Sequence, residues 1–309
     1  MTPTDLLIPR LHVQGANAQA AWWLINSTPV MACTMFGHAL GRHLNQPTVG
    51  VAIIHHATQL HGEQFGFFRP QQRRGAVFID ENDYSSKNKH ALSLQPTATF
   101  SGEFSLIVRF GDMAEVNLND VGEFLQRARL AGGQIVEHGQ CRMMAPTEWR
   151  QHLRSGFWVI DRRDLMRKAD DEDWLDVLLR VTAQPDWRKR DNVASPAVAG
   201  NESNEADEAD EADDKDESED DEDQWNSPPA RKPLPSRWML ATTLGYALLT
   251  PAVSRAGARE GYPHAFAEPL VGPVQYVSLR EFGDRSLPVW QPGWPRDDVF
   301  LLSQPDLEI

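Results

Sequence analysis

Cysteine is almost missing from this chain of 309 residues: only Cys33 and Cys141 are present, far apart and without CxxC spacing. That excludes a zinc ribbon, argues against a disulfide framework and fits a reducing, cytoplasmic compartment. Long apolar runs are scarce too. No stretch approaches the roughly eighteen consecutive apolar residues of a membrane helix. The opening MTPTDLLIPR has no basic segment followed by an apolar one. Neither a membrane span nor a signal peptide is expected. The fingerprints of familiar enzymes, GxSxG, P-loop, HExxH and GxGxxG, are also missing, so no familiar catalytic class is supported.

An excess of positive charge is lacking as well, with a net charge of −14 that argues against nucleic acid until it is mapped. Fifteen of the 44 acidic residues but one of the 30 basic ones, Lys215, lie between Asn201 and Asp223. The rest of the chain therefore holds 29 of each sign, with Arg far outnumbering Lys. The acidic tract, flanked by small residues and a Pro-rich exit, has too few large apolar residues to offset the entropy of ordering it. A disordered linker is expected over 194–235.

What is present reads as alternating strands and helices. Residues 6–18, LLIPRLHVQGANA, look like a buried strand with a soft end at Gly15, Ala16 and Asn17. Asn26-Ser27-Thr28-Pro29 signals a turn and a helix start, and Val30 to Leu44 carries two apolar rows at helical spacing, with His38 and Arg42 on a shared polar face. Residues 48–59 and 97–110 read as strands, and 117–130 as a helix with an Asn or Asp cap, stopped at Ala131-Gly132-Gly133. Residues 134–139 form a short last strand. Strand, helix, strand, strand, helix, strand is the order of a ferredoxin-like (RRM-like) unit, an α+β fold. Further on, 156–160 reads as a strand, 162–168 as a helix start and 174–181 as a helix. Residues 237–249 and 274–282 read as strands separated by a loop over 260–272, and 290–309 as a tail held by Trp290, Trp294, Phe300 and Leu301.

Chemistry-bearing residues are few. His55-His56 with His61 could suggest a metal, but neighbouring strand residues face opposite ways and no carboxylate stands at a suitable offset, so no metal or cofactor is expected. Gly132 and Gly133 beside Arg127 and Arg129 offer backbone amides and guanidiniums suited to phosphates, and Arg142 continues a basic run through Lys168. The irregular 61–94 connection holds Phe67, Phe68, Arg69, Arg73 and Arg74, a set able to stack bases and hold phosphates, or merely an anchored surface loop.

In order, LLIPRLHVQGANA, GHALGR, RLAGGQI, SGFWVI and RWMLATTLGYALLTP resemble the second Csy subunit of the type I-F CRISPR surveillance complex over most of the chain. The resemblance implies a RAMP-class ferredoxin-like domain over 1–140, a helical and strand extension over 141–193, the acidic insertion, and C-terminal strands over 236–309 packing on the RAMP domain. It implies a non-catalytic subunit that grips the 5′ handle of the CRISPR RNA and pairs with the large first Csy subunit. That pair sits beside a backbone subunit, so target DNA is met only indirectly. It carries over as RNA-binding residues Asn17, Thr34, His38, Arg42, Arg129, Gly132 and Gly133, with the loop from Phe67 to Arg74 as a thumb-like projection. The alternatives are a RAMP endoribonuclease that cuts precursor RNA with His38 or His43, and an RNA-free scaffold whose acidic tract mimics nucleic acid.

Overall fold

Strand β1 (Asp5–Asn17) is the hub of one large antiparallel sheet. A computed structural model describes residues 5–65, 67–73, 76–78, 90–92, 97–111, 115–168, 171–182, 238–256, 261–283 and 285–307. These belong to one compact unit; the other unit, 183–237, which contains the expected acidic linker, lies outside the described residues.

After β1 come a short hairpin, β2 (Gln19–Ala21) and β3 (Leu24–Ile25), and helix α1 (Val30–Leu44). Strand β4 (Thr48–Leu60) follows. The connection expected to be irregular contains strand pieces: β5 (Gly62–Phe65), β6 (Phe67–Pro70), β7 (Gln72–Arg73), β8 (Ala76–Phe78) and β9 (His90–Leu92). Then come β10 (Thr97–Phe110), helix α2 (Leu118–Arg127), β11 (Arg129–Leu130) and β12 (Gly133–Glu137). The strands of this half line up as β12-β1-β10-β4, every neighbouring pair antiparallel.

Alternation explains the two-sided burial. Leu6, Ile8, Leu11 and Val13 of β1 face a core shared with Phe36 and Leu40 of α1 and Val121 and Leu125 of α2. Leu7, Ala52, Ile54 and Ile107 face a second core on the other side, with Trp149 and Trp158. Asn117 caps α2 as expected, its Oδ1 accepting from Asn119 N at 3.0 Å.

The glycine pair after α2 does a different job from the one expected. The helix ends at Arg127, Ala128 is extended, and β11 turns into β12 through Ala131 and Gly132, both at positive φ. Two successive left-handed residues are the signature of a tight hairpin turn whose twist matches its strands. A helix stop and a hairpin turn both call for glycine, so composition alone could not separate them.

The remaining elements are β13 (Arg142–Met144), paired with the start of β1, the short helix α3 (Trp149–His152), β14 (Phe157–Asp161) and helix α4 (Trp174–Thr182). The expected helix start at 162–168 is only a 3-10 turn at Arg163–Leu165. Then come β15 (Met239–Leu248), β16 (Ala267–Ser278), helix α5 (Leu279–Phe282), β17 (Val289–Arg296) and β18 (Val299–Ser303). Three segments thus depart from the sequence reading: β16 begins inside the expected loop, residues 279–282 are helical, and the expected tail is a strand pair. The order β4-β14-β16-β15-β18-β17 returns to β4, because β4 pairs with β14 at His55 and Ile54 and with β17 at Ala52 and Val51. Six strands close a ring at whose wall Trp290 is fully buried, its Nε1 donating to Val159 O at 2.9 Å. Among the described residues no helix is long and apolar enough to cross a membrane.

Candidate functional site

Four elements meet where β1 ends. Asn17 N donates to Ala131 O at 2.8 Å, so the end of β1 is tied to the β11–β12 turn. Asn17 itself is exposed, and its Oδ1 accepts from Gln19 N at 2.9 Å, which bends the chain into β2. The first turn of α1 lies alongside, and Thr242, Thr243 and Tyr246 of β15 close the far wall. Together they enclose a cavity of about 220 Å³ with no Asp or Glu among its lining residues.

A polar strut under the cavity sets the position of α1. Asn26 Oδ1 accepts from Thr28 N at 3.0 Å, while Asn26 Nδ2 donates to Ala241 O at 2.5 Å. Thr28 shares a hydrogen bond with the Tyr276 hydroxyl at 2.5 Å, and Thr242 Oγ1 donates to Thr28 O at 2.8 Å. His55 stacks on Tyr276 with ring centroids 4.5 Å apart. Burial pushes the Tyr276 phenol pKa up and the His55 imidazole down to about 4, so both stay neutral around pH 7. The helix so held starts at Pro29 with no side-chain cap and no acidic residue in its first turn. Val30 N donates to Thr28 O at 2.9 Å, and the positive dipole end of the helix borders the cavity with no carboxylate among the lining residues to neutralise it.

The expected site residues divide. Asn17, Gly132 and Gly133 come together at this point, and Arg129 stands exposed on the same hairpin, its Nη1 donating to Gly132 O at 3.3 Å. His38 and Arg42 are exposed further along α1, one to three turns from the cavity. Thr34 points into the core instead, 2% exposed, with its hydroxyl donating to Val30 O at 3.0 Å. Arg142 lies on β13 opposite Leu7, ten residues along β1 from Asn17 and so about 33 Å away. It donates to His152 Nδ1 at 3.1 Å, and its Nε is buried without a partner.

The Phe67 to Arg74 set is only partly described. Phe67 and Arg69 lie on the β5–β6 hairpin, where Arg69 is exposed and stands opposite Glu63. Arg73 lies on β7 opposite Thr97, two residues from the Thr99 that pairs with Asn17, so β7 springs from the same end of the sheet. Arg74 and the side chains of Phe67 and Arg73 lie outside the described residues.

Sequence reasoning did not single out Gln19, Asn26, Thr28 or the Thr242-Thr243 pair as site residues. The Thr pair was visible as two adjacent hydroxyls in a strand, but its neighbour Ala20 lies more than 200 residues earlier. Among the described residues no group of three His, Cys, Asp or Glu side chains is placed to hold a metal ion. His55 and His56 do face opposite ways, one onto Tyr276 and the other onto Ser105 Oγ at 2.7 Å.

A family model described as CRISPR-associated protein (Cas_Csy2) matches residues 6–301, nearly the whole chain. The chain belongs to the Cas_Csy2 family. As a Cas_Csy2 chain it is a type I-F CRISPR-associated subunit, a member of a Cas complex with other Csy subunits. No curated protein matches it significantly. The Cas_Csy2 match runs from β1 to β18 and so includes every element around the cavity.

Proposed function

We propose that this Cas_Csy2 subunit is a non-catalytic RNA-binding component that grips the 5′ handle of the CRISPR RNA and seats the large first Csy subunit beside a backbone subunit. The observation that carries the proposal is the meeting of Asn17, the Ala131–Gly133 hairpin and the uncapped start of α1 around one cavity free of acidic side chains. Backbone amides at a helix start and at a hairpin turn suit phosphates, and Arg129 adds a guanidinium at the rim. The order β1, α1, β4, β10, α2, β12 and the sheet order β12-β1-β10-β4 support a ferredoxin-like RAMP domain, with both helices on one face.

The two candidate bases of the endoribonuclease reading, His38 and His43, stand exposed along α1, where the His43 ring lies 5.5 Å from that of Phe124. Co-expression with the other Csy subunits and a CRISPR RNA tests the whole proposal. The expected result is a stable particle whose handle resists nuclease, with Arg129→Glu lowering RNA retention. A monomer with unprotected RNA would sink it. Cleavage of precursor RNA by the wild type but not by His38→Ala would replace it with the endoribonuclease reading.

A further inference from the structure

The β2–β3 hairpin carries two tryptophans at its tip, and Trp22 is the most exposed of the large apolar side chains among the described residues. Trp22 is 83% exposed and Trp23 45% exposed. Neither is needed to fill a core, yet the hairpin beneath them is firmly held. Gln19 Nε2 donates to Ala21 O at 2.7 Å and to Trp22 O at 3.0 Å, Asn26 N donates to Ala18 O at 2.9 Å, and Thr243 Oγ1 donates to Ala20 O. A hydrogen-bonded backbone under exposed indoles is the arrangement of a contact surface and not of a frayed turn.

The surroundings say what the contact is. The same Gln19 and Ala20 line the cavity, so the hairpin that carries the indoles borders it. Residues 18–28 contain no charged side chain, no Asp or Glu lines the cavity, and the β11–β12 hairpin tied to the end of β1 carries the exposed Arg129 guanidinium. An aromatic tip on a hairpin that lines a carboxylate-free cavity, with a guanidinium on the adjoining hairpin, matches a polyanion that also presents flat π-faces, that is, single-stranded RNA. An apolar protein partner would use the indoles but would have no use for the carboxylate-free cavity or the guanidinium.

We propose that Trp22 and Trp23 form a stacking platform for unpaired bases of the RNA, on the hairpin that borders the cavity whose floor receives the backbone. This rests on the RNA-binding reading above and adds the bases to it. Stacking accepts any base, so the platform supplies grip without sequence preference.

The test uses the assembled complex, with 5-iodouridine placed at each position of the handle in turn. Irradiation is expected to give an adduct on Trp22 or Trp23, mapped by mass spectrometry of the peptide. The double variant Trp22→Ala/Trp23→Ala is expected to lower RNA retention about tenfold, consistent with the loss of roughly one base stack. Trp22→Ala alone should leave the melting temperature unchanged, because that indole is 83% exposed. Phe at both positions should restore retention and Leu should not, since Leu keeps the apolar surface but not the π-face. Adducts at 129–133 or on α1 with none on the tip would overturn the platform and leave the RNA reading standing. No adduct anywhere on this chain would overturn both. Restoration by Leu, or loss of the large subunit with RNA retained, would assign the tip to a protein contact and overturn the platform.

Discussion

At Gly133 an added Cβ would come within 2.7 Å of Ala16 N and of Val13 Cγ1, while at Gly132, at φ +76°, it would meet nothing. The two glycines therefore fail differently. Gly133→Val is expected to push β12 off β1, cost at least about 2 kcal/mol and displace Asn17 from the hairpin. Gly132→Ala costs only the left-handed strain, about 1 kcal/mol, and should leave RNA retention near wild type. Urea denaturation and RNA retention, measured on both variants, check the contrast. Two histidines set the response to acid. Burial lowers both His55 and His56 to about 4, and a nearby Arg10 adds to the effect at His56. In the unfolded chain each titrates near 6.5. The stability that comes from their neutral form is complete above about pH 6.5 and is lost as pH falls from there towards 4. The melting temperature should fall by several degrees over that window, and His56→Gln should reduce the fall. His56 Nε2 shares a hydrogen bond of 2.7 Å with the Ser105 hydroxyl, whose oxygen also accepts from Arg10 N at 3.0 Å.

Among the elements, α1 is built with its stability and its proposed role opposed. A carboxylate at the helix start would complement the dipole, yet Pro29 stands there. Pro29→Asp is expected to raise the melting temperature slightly, by the equivalent of about 0.5 kcal/mol, and to lower RNA retention several-fold through repulsion of phosphate. A melting curve and a retention assay on one preparation check both directions. The helices and long strands of the first half were legible because each carries its own period: α1, α2, β4 and β10 all fall close to the bounds read from residue pattern. The misreading of β16 comes from dependence on a distant neighbour. The start of β16 looked like a loop because of Pro269, Gly272 and Pro273. Residues 267–273 pair only with β15, and β14 joins from Val274 onward, so these prolines sit where one edge has no ladder to break. The site was legible in the same uneven way. Asn17 and the glycine pair could be found from local sequence, but Thr242, Thr243 and the Asn26 strut belong to a wall that only the closed sheet assembles.

For the whole molecule, that closure is the central fact. Trp290 is the clasp, packed with the core that underlies α1 and hydrogen-bonded to Val159 O. Trp290→Ala is expected to cost about 3–5 kcal/mol, enough to threaten folding. Trp290→Phe should cost much less, since Val159 O keeps its second donor, Gln304 Nε2 at 3.1 Å. Guanidinium denaturation midpoints of the two variants test the difference. Closure also orders events in time. The outer edge of β4, Val51 to His55, is completed by β14 and by β17, whose residues lie about a hundred and more than two hundred positions later. A ribosome adding about 5–20 residues per second needs some 10–50 seconds to cover that second interval. Throughout it, Val51 and Ala52 of an apolar strand wait without their β17 partner, so the nascent chain carries an open strand edge that a chaperone would be expected to shield until Val289 and Trp290 are made.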